Sequence, residues 1–412
     1  MRIKTHSDRS PWSMSWAAAI DHAQTMNADK TRTRGTNLGH QPRLLPLLWR
    51  QPERSVEWTL VVAGCPGRLY SILMKSPGLA CGILATVFCG ACSMTPVASH
   101  GPVSERLLRR LDADAITRAM VLERVQSGQM RVSLAAPEER AVTLPFSLND
   151  GTPHVQVGVN GRPVTMVLDT GAVKTLIQAS VAAERKVTML TEREATVSMR
   201  GVIGIEKARV GILEPLQIGP WQLYAYPCIV RTHENTVRGL FGDMNWSSNL
   251  LGFDVAAKLA TYLTLDYRTR QATYGFHQMF PRPQGKRVAS APLKMSGGAP
   301  FITLKSGGHS WDALVDTGSF NGIEISQQLA ERLRVGQGEA VRGLYLMSVG
   351  GSTTSAAAGL RTVTLPAIAM FGETFPQAQV DVSPGPPRVG SFFFKDYRVT
   401  FDFKRRLVWL EW

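Results

Sequence analysis

An apolar run that ends in Asp-Thr-Gly occurs twice in this chain, as MVLDTGAVKTLI (166–177) and ALVDTGSFNGIEI (313–325). The two aspartates, Asp169 and Asp316, lie 147 residues apart, and other features keep step with them. NLLGFDVAAKLATYLTLDYRTRQATYGF (249–276) is echoed by PPRVGSFFFKDYRVTFDFKRRLVWLEW (386–412), with Gly252 against Gly390 and LTLDY (263–267) against VTFDF (399–403). A repeat of this kind constrains the fold more than composition does, because each copy must form the same supersecondary unit. The order of features is kept while the second copy is shorter inside, as expected of homologous units with trimmed loops.

The pattern within each copy is that of short strands and turns. HVQVGVNGRPVTMVLD (154–169) alternates around Asn160-Gly161, a strong hairpin signal. Two short helical stretches, QASVAAERKV (178–187) and SQQLAERLRV (326–335), each follow an Asp-Thr-Gly at a similar interval. The expected fold is mainly β, in two β-barrel lobes, 142–276 and 288–412, related by a pseudo-two-fold and joined by a Pro- and Gly-containing linker at 277–287. Ahead of them, within a tether-and-helix region (92–141), SERLLRRLDADAITRAMVLERVQSG (104–128) has apolar residues near helical spacing, with Ser104 and Glu105 suiting its start and Ser127-Gly128 its stop.

The N-terminal part reads differently. Residues 74–92, MKSPGLACGILATVFCGAC, begin with Met-Lys, continue apolar and end in small residues before cysteine, the plan of a secretion signal. The run is short of the ~20 apolar residues that span a bilayer. Its ending resembles a bacterial lipobox, with Cys89 where leucine is usual. That resemblance implies a signal peptide at 74–91, lipidation of Cys92, and a lipid-anchored protein of the bacterial cell envelope, on the periplasmic face of the outer membrane. Residues 1–73 lack sustained periodicity and carry 10 Lys and Arg against 5 Asp and Glu. They are expected to be untranslated in the natural product or a disordered arm.

Two carboxylates that end apolar strands are costly to bury singly. Brought together they cannot both ionise cheaply, so one proton is shared, with one apparent pKa lowered and the other raised. The charged member can then take a proton from water while the protonated member polarises a carbonyl. Gly171 and Gly318 permit a tight turn and close approach of backbone amides. Thr170 and Thr317 can hydrogen-bond across the interface, and Ala172 and Ser319 are small enough to keep a cleft open, with the Ser319 hydroxyl able to donate to Asp316.

These motifs resemble the retropepsin-type aspartic proteases, here duplicated within one chain. Retropepsins supply one Asp-Thr-Gly per subunit and dimerise, whereas pepsin-like enzymes carry both in one polypeptide. LLGFD (250–254) resembles the hydrophobic-hydrophobic-Gly element that passes behind the catalytic loop in this family, and RVGSF (388–392) is its weaker counterpart, with Arg388 at the first apolar position. The resemblance implies an aspartic endopeptidase with Asp169 and Asp316 as catalytic pair, no cofactor or metal, a peptide or protein substrate, and a monomer. It also implies Gly-rich flaps over the cleft, for which MRGVIGIEKA (199–208) and YLMSVGGSTTSAA (345–357) are candidates through Gly201, Gly204, Gly350 and Gly351. Two alternatives stay open: an inactive peptide-binding module of the same fold, and an oligomer in which lobes of different molecules pair.

Other chemistries lack their motifs. The net charge of +14 is dispersed, the longest basic run being Lys404-Arg405-Arg406, with no aromatic interleaving, so no nucleic-acid partner is expected. There is no His-Glu-x-x-His and no Gly-x-Ser-x-Gly, and SVGGSTTSAAAG lacks the ending of a phosphate loop. Cys228, in LYAYPCIV, reads as inert core, and Asp266 and Asp402 as paired or solvated residues at polar-facing strand ends.

Overall fold

The computed structural model describes residues 60–63, 69–72, 115–190, 196–232, 236–239, 242–245, 249–284, 287–349 and 351–412. The chain divides into two units, Met1–Pro96 and Val97–Trp412. In the first, the described residues form an antiparallel pair, Leu60–Ala63 with Leu69–Ile72. The paired segments, LVVA and LYSI, are rich in β-branched and aromatic residues. The signal-like segment and Cys92 lie outside the described residues. Among the described residues no helix is long and apolar enough to cross a membrane.

The second unit is mainly β. Its first described element is the helix Ala115–Gln126, which ends where Ser127-Gly128 predicts, Gly128 having φ +71°. The helix start proposed at Ser104 lies outside the described residues. Asn160 and Gly161 both take positive φ and turn the strand Thr152–Val159 into Arg162–Asp169, as that dipeptide requires in a two-residue hairpin.

The repeat is visible in the pairing. Arg162–Asp169 runs parallel to Leu250–Gly252, while Leu176–Ile177 lies antiparallel to Leu250 and parallel to Tyr226–Arg231. In the second copy His309–Asp316 runs parallel to Arg388–Gly390, while Ile323–Ser326 lies antiparallel to that segment and parallel to Glu373–Ser383. The apolar runs before each aspartate are buried on both faces, which is why they read as continuous rather than alternating. The short helices Ala179–Glu184 and Gln327–Arg332 follow at equivalent points, the second capped by the Ser326 hydroxyl, which accepts from the amide of Leu329.

Six consecutive antiparallel strands join the two copies, in the order Val288–Pro292, Leu407–Glu411, Arg398–Asp402, Tyr262–Asp266, Gln271–Gly275 and Ala141–Asn149. The central pair is in register Thr264 to Thr400, and these repeat-equivalent residues share a hydrogen bond of 2.8 Å. The six-strand arrangement is therefore symmetric about that bond. Phe253 packs edge-on against Phe401, ring centroids 5.2 Å apart, so the helix following Gly252 is buried on this sheet.

Asp402 corrects the expectation of a polar-facing strand end. It is fully buried, and Arg405 reaches it at 2.6 Å with a second bond from the Arg405 backbone amide. Asp266 accepts from the amides of Arg268 and Thr269 in a turn of similar form. Cys228 is buried and burial pushes its thiol pKa up, which leaves it an inert core residue.

Candidate active site

Each aspartate ends a strand whose neighbour places a glycine beside it: Gly252 pairs with Asp169, and Gly390 with Asp316. The loop that leaves each Asp-Thr-Gly folds back on that glycine. A Cβ on Gly252 would stand 2.6 Å from the Lys174 carbonyl, and one on Gly390 2.8 Å from that of Ser319. The sheet and the returning loop thus hold each carboxylate from behind.

The two loops meet through Thr170 and Thr317, both fully buried. The Thr170 hydroxyl donates to the Val315 carbonyl at 2.6 Å and accepts the Thr317 amide at 3.0 Å. The Thr317 hydroxyl donates to the Leu168 carbonyl at 2.5 Å and accepts the Thr170 amide at 3.0 Å. Both hydroxyls and both amides of these threonines are satisfied by the other copy of the repeat, as buried polar groups require.

This crossing sets the carboxyl groups of Asp169 and Asp316 beside each other, each against the glycine of the opposite loop. Oδ1 of Asp169 accepts the amides of Gly171 and Ala172 at 2.8 and 3.0 Å, and Oδ1 of Asp316 accepts those of Gly318 and Ser319, both at 3.1 Å. The glycines are needed for space. Neither has positive φ, but a Cβ on Gly171 would stand 2.5 Å from Asp316 Oδ1, and one on Gly318 2.5 Å from Asp169 Oδ2. The demand attributed to the turn is imposed by the opposite carboxyl.

Burial, followed by the charge of Asp316, pushes the Asp169 pKa up to about 8. Burial also raises that of Asp316, against the pull of the Arg388 guanidinium, 3.7 Å from Oδ2. Two acids this close hold one proton between them.

The Ser319 hydroxyl departs from expectation. It donates to Glu324 Oε1 at 3.0 Å rather than to Asp316. Glu324 is a residue that motif reading passes over, and Arg388 shows there only as a break in an apolar motif. The signal for them is a comparison of the copies, since Leu176 and Leu250 occupy the equivalent strand positions. A second contact between the copies runs from the Tyr267 hydroxyl to Ser391 Oγ at 2.9 Å, and from there to the Thr317 carbonyl at 2.7 Å. Asp254, two residues beyond Gly252, is also buried, accepting from the Tyr226 hydroxyl at 2.7 Å.

The two Gly-rich segments are hairpins. Thr196–Arg200 pairs with Ile205–Leu213, and Tyr345–Ser348 with Gly351–Thr354. Their tips touch: the Ile203 amide donates to Ser348 Oγ at 3.0 Å, and Ile203 lies against Gly351. Gly201 is packed so closely on Val349 and Ser348 that no side chain fits there. Gly204, at φ +75°, closes its turn by accepting the Gly201 amide. Gly350 lies outside the described residues. Glu206, one pair back from the turn of the first hairpin, accepts from Nε and Nη2 of buried Arg231, the latter at 2.7 Å.

Residues 155–255 match the family model described as aspartyl protease. The match contains Asp169 and the Leu250-Leu251-Gly252 element and ends before the second Asp-Thr-Gly. Among solved structures, the aspartic proteinase from Irpex lacteus resembles the chain with a TM-score of 0.40 at 14% identity, covering 66% of this chain and 97% of that one. No curated protein matches the chain.

Proposed function

We propose that this chain is an aspartic endopeptidase that hydrolyses peptide bonds with a water activated between Asp169 and Asp316. The observation that carries the reading is the reciprocal crossing of Thr170 and Thr317, which sets two amide-held carboxyl groups in contact at the ends of equivalent strands. The aspartyl-protease match over 155–255 supports the same chemistry for the first copy.

In this mechanism Asp316 is the carboxylate and Asp169 the carboxylic acid. Asp316 takes a proton from water as the water oxygen bonds to the scissile carbonyl carbon, and Asp169 gives its proton to the carbonyl oxygen. The resulting diol collapses: the C–N bond breaks, the nitrogen takes the proton now on Asp316, and a diol hydroxyl returns one to Asp169. Both carboxyl groups end as they began. The two touching hairpins suit a cover that opens for the peptide and closes on it. The repeat is read as two lobes, 142–276 and 288–412, that complete one site within one chain, so a monomer suffices.

The 74–92 segment motivates a second part of the proposal, that Cys92 is lipidated and tethers the enzyme to the bacterial envelope. Replacing Cys92 with alanine should abolish lipid labelling; labelling that persists would refute it. The enzymatic reading is tested by offering the purified protein a diverse peptide library. Internal cleavage, blocked by a statine-type transition-state mimic and resistant to chelators and to serine- or cysteine-directed reagents, is the expected result. Peptide binding without any cleavage would instead favour an inactive binding module.

A further inference from the structure

Two strand positions beside the candidate dyad differ between the copies in a correlated way. In the first copy Leu250 faces Leu176 across an antiparallel pair; in the second Arg388 faces Glu324 at the same register. Both second-copy side chains are buried, 7% and 3% exposed. An apolar pair satisfies such a position at less desolvation cost than an ion pair, so packing gives no reason for the exchange.

The geometry gives one. Arg388 Nε stands 2.7 Å from Glu324 Oε2, and Nη2 donates to the Pro384 carbonyl at 3.0 Å, which fixes the guanidinium plane. Glu324 is itself held by the Ser383 hydroxyl at 2.6 Å, the Ser319 hydroxyl at 3.0 Å and the Asn321 amide at 2.5 Å. The remaining nitrogen, Nη1, points at Asp316 Oδ2 from 3.7 Å. At the equivalent place beside Asp169 stand the two leucines.

We propose that Arg388, oriented by Glu324, is a positioning residue that keeps the charge of the dyad on Asp316 and its proton on Asp169, so that the two aspartates have fixed, non-interchangeable roles. The inference rests on the proposed dyad chemistry. The ionisable groups that face Asp316 are Asp169 from the opposite loop, Arg388 and Glu324 from the two strands behind it, and the Tyr267 phenol from the adjoining sheet. Asp381, on the strand beyond, faces Glu324 and is held by the Thr362 hydroxyl at 2.7 Å. Only Arg388 in this set is cationic. Among the described residues it lies nearer to Asp316 than to any other carboxylate except Glu324.

Two variants should move the acidic limb of the kcat/KM profile in opposite directions. The double exchange Glu324→Leu with Arg388→Leu copies the first-half pair and removes the cation, so Asp316 should protonate more easily and the limb should rise by about one pH unit. Glu324→Gln leaves Arg388 without its neutralising partner, so the limb should fall. A residue that mattered only for packing would not give shifts of opposite sign. Carbon-13 NMR of labelled aspartate carboxyls supplies a readout independent of turnover: near pH 6, wild type should show Asp169 protonated and Asp316 ionised, and the double-leucine variant should lose that distinction. If the wild type cuts no peptide but shows this asymmetry, the endopeptidase reading fails and the charge assignment stands. If the double-leucine variant does not fold, the sign of the Glu324→Gln shift decides. An unchanged or raised limb in Glu324→Gln, or equivalent carboxyl signals in the wild type, would overturn the proposal.

Discussion

Thr170 and Thr317 each accept the other's backbone amide at 3.0 Å while each hydroxyl donates to the carbonyl two residues before the other. Removing one hydroxyl therefore leaves a buried amide and a buried carbonyl of the opposite loop without partners. Thr170→Ala and Thr317→Ala should each cost about 2–4 kcal/mol, two groups at ~1–3 kcal/mol with partial relaxation. Thr→Ser at either position should recover most of it. Chemical denaturation of the four variants checks this, and alanine variants as stable as wild type would show the crossing to be dispensable.

Gly171 and Gly318 are constrained by the carboxyl group opposite, not by backbone conformation. Gly171→Ala and Gly318→Ala should push the two aspartates apart and lower kcat at least 100-fold, about 2.7 kcal/mol of barrier. Gly307→Ala, at φ +53° in open space, serves as a control that strains a turn without touching the site. Measured kcat values near wild type for the first two would contradict the contact geometry.

The raised pKa of Asp169, about 8, has a consequence for stability as well as activity. The folded state holds a proton that the unfolded state has released above about pH 4. The stability it contributes is complete below that unfolded value and is lost as pH rises through about 8, with a slope of at most about 1.4 kcal/mol per pH unit. Asp169→Asn should abolish this dependence and equal or exceed wild type in stability at pH 8. Urea titrations at several pH values measure it. Hydrolysis by wild type should fall over the same upper limb, as the shared proton leaves.

Ser348 joins the two hairpins by accepting the Ile203 amide. Ser348→Ala should weaken the closed arrangement by about 1 kcal/mol, read as a roughly five-fold rise in KM with a smaller effect on kcat. An unchanged KM would separate hairpin contact from substrate binding.

What could be read in the sequence is what local chemistry determines. Asn160-Gly161 demands positive φ whatever surrounds it, and apolar strands ending in Asp-Thr-Gly announce themselves by pattern. The roles of Gly171 and Ser319 were harder to read, because each depends on a group brought in by the fold: a carboxyl from the other copy for the first, and Glu324 for the second. The burial of Asp402 is hidden for the same reason, since it comes from the six-strand arrangement, whereas its pairing, with Arg405, agrees with the sequence reading. Arg388 stands out in the sequence as a break in an apolar motif, but the break acquires meaning only when Glu324 is seen across the strand pair and Asp316 beside it.

The central claim, that one chain builds one hydrolytic site from both copies of its repeat, is tested most directly by peptide cleavage with Asp169→Asn, with Asp316→Asn, and with an equimolar mixture of the two. Each exchange preserves size but removes a carboxyl needed to share the proton, so each variant should retain less than about one thousandth of wild-type kcat/KM, a loss of more than about 4 kcal/mol of transition-state stabilisation. The mixture should be equally inactive, because no chain in it holds both carboxyls. Full activity in either single variant would refute the dyad, and activity regained on mixing would show that the site is assembled between molecules.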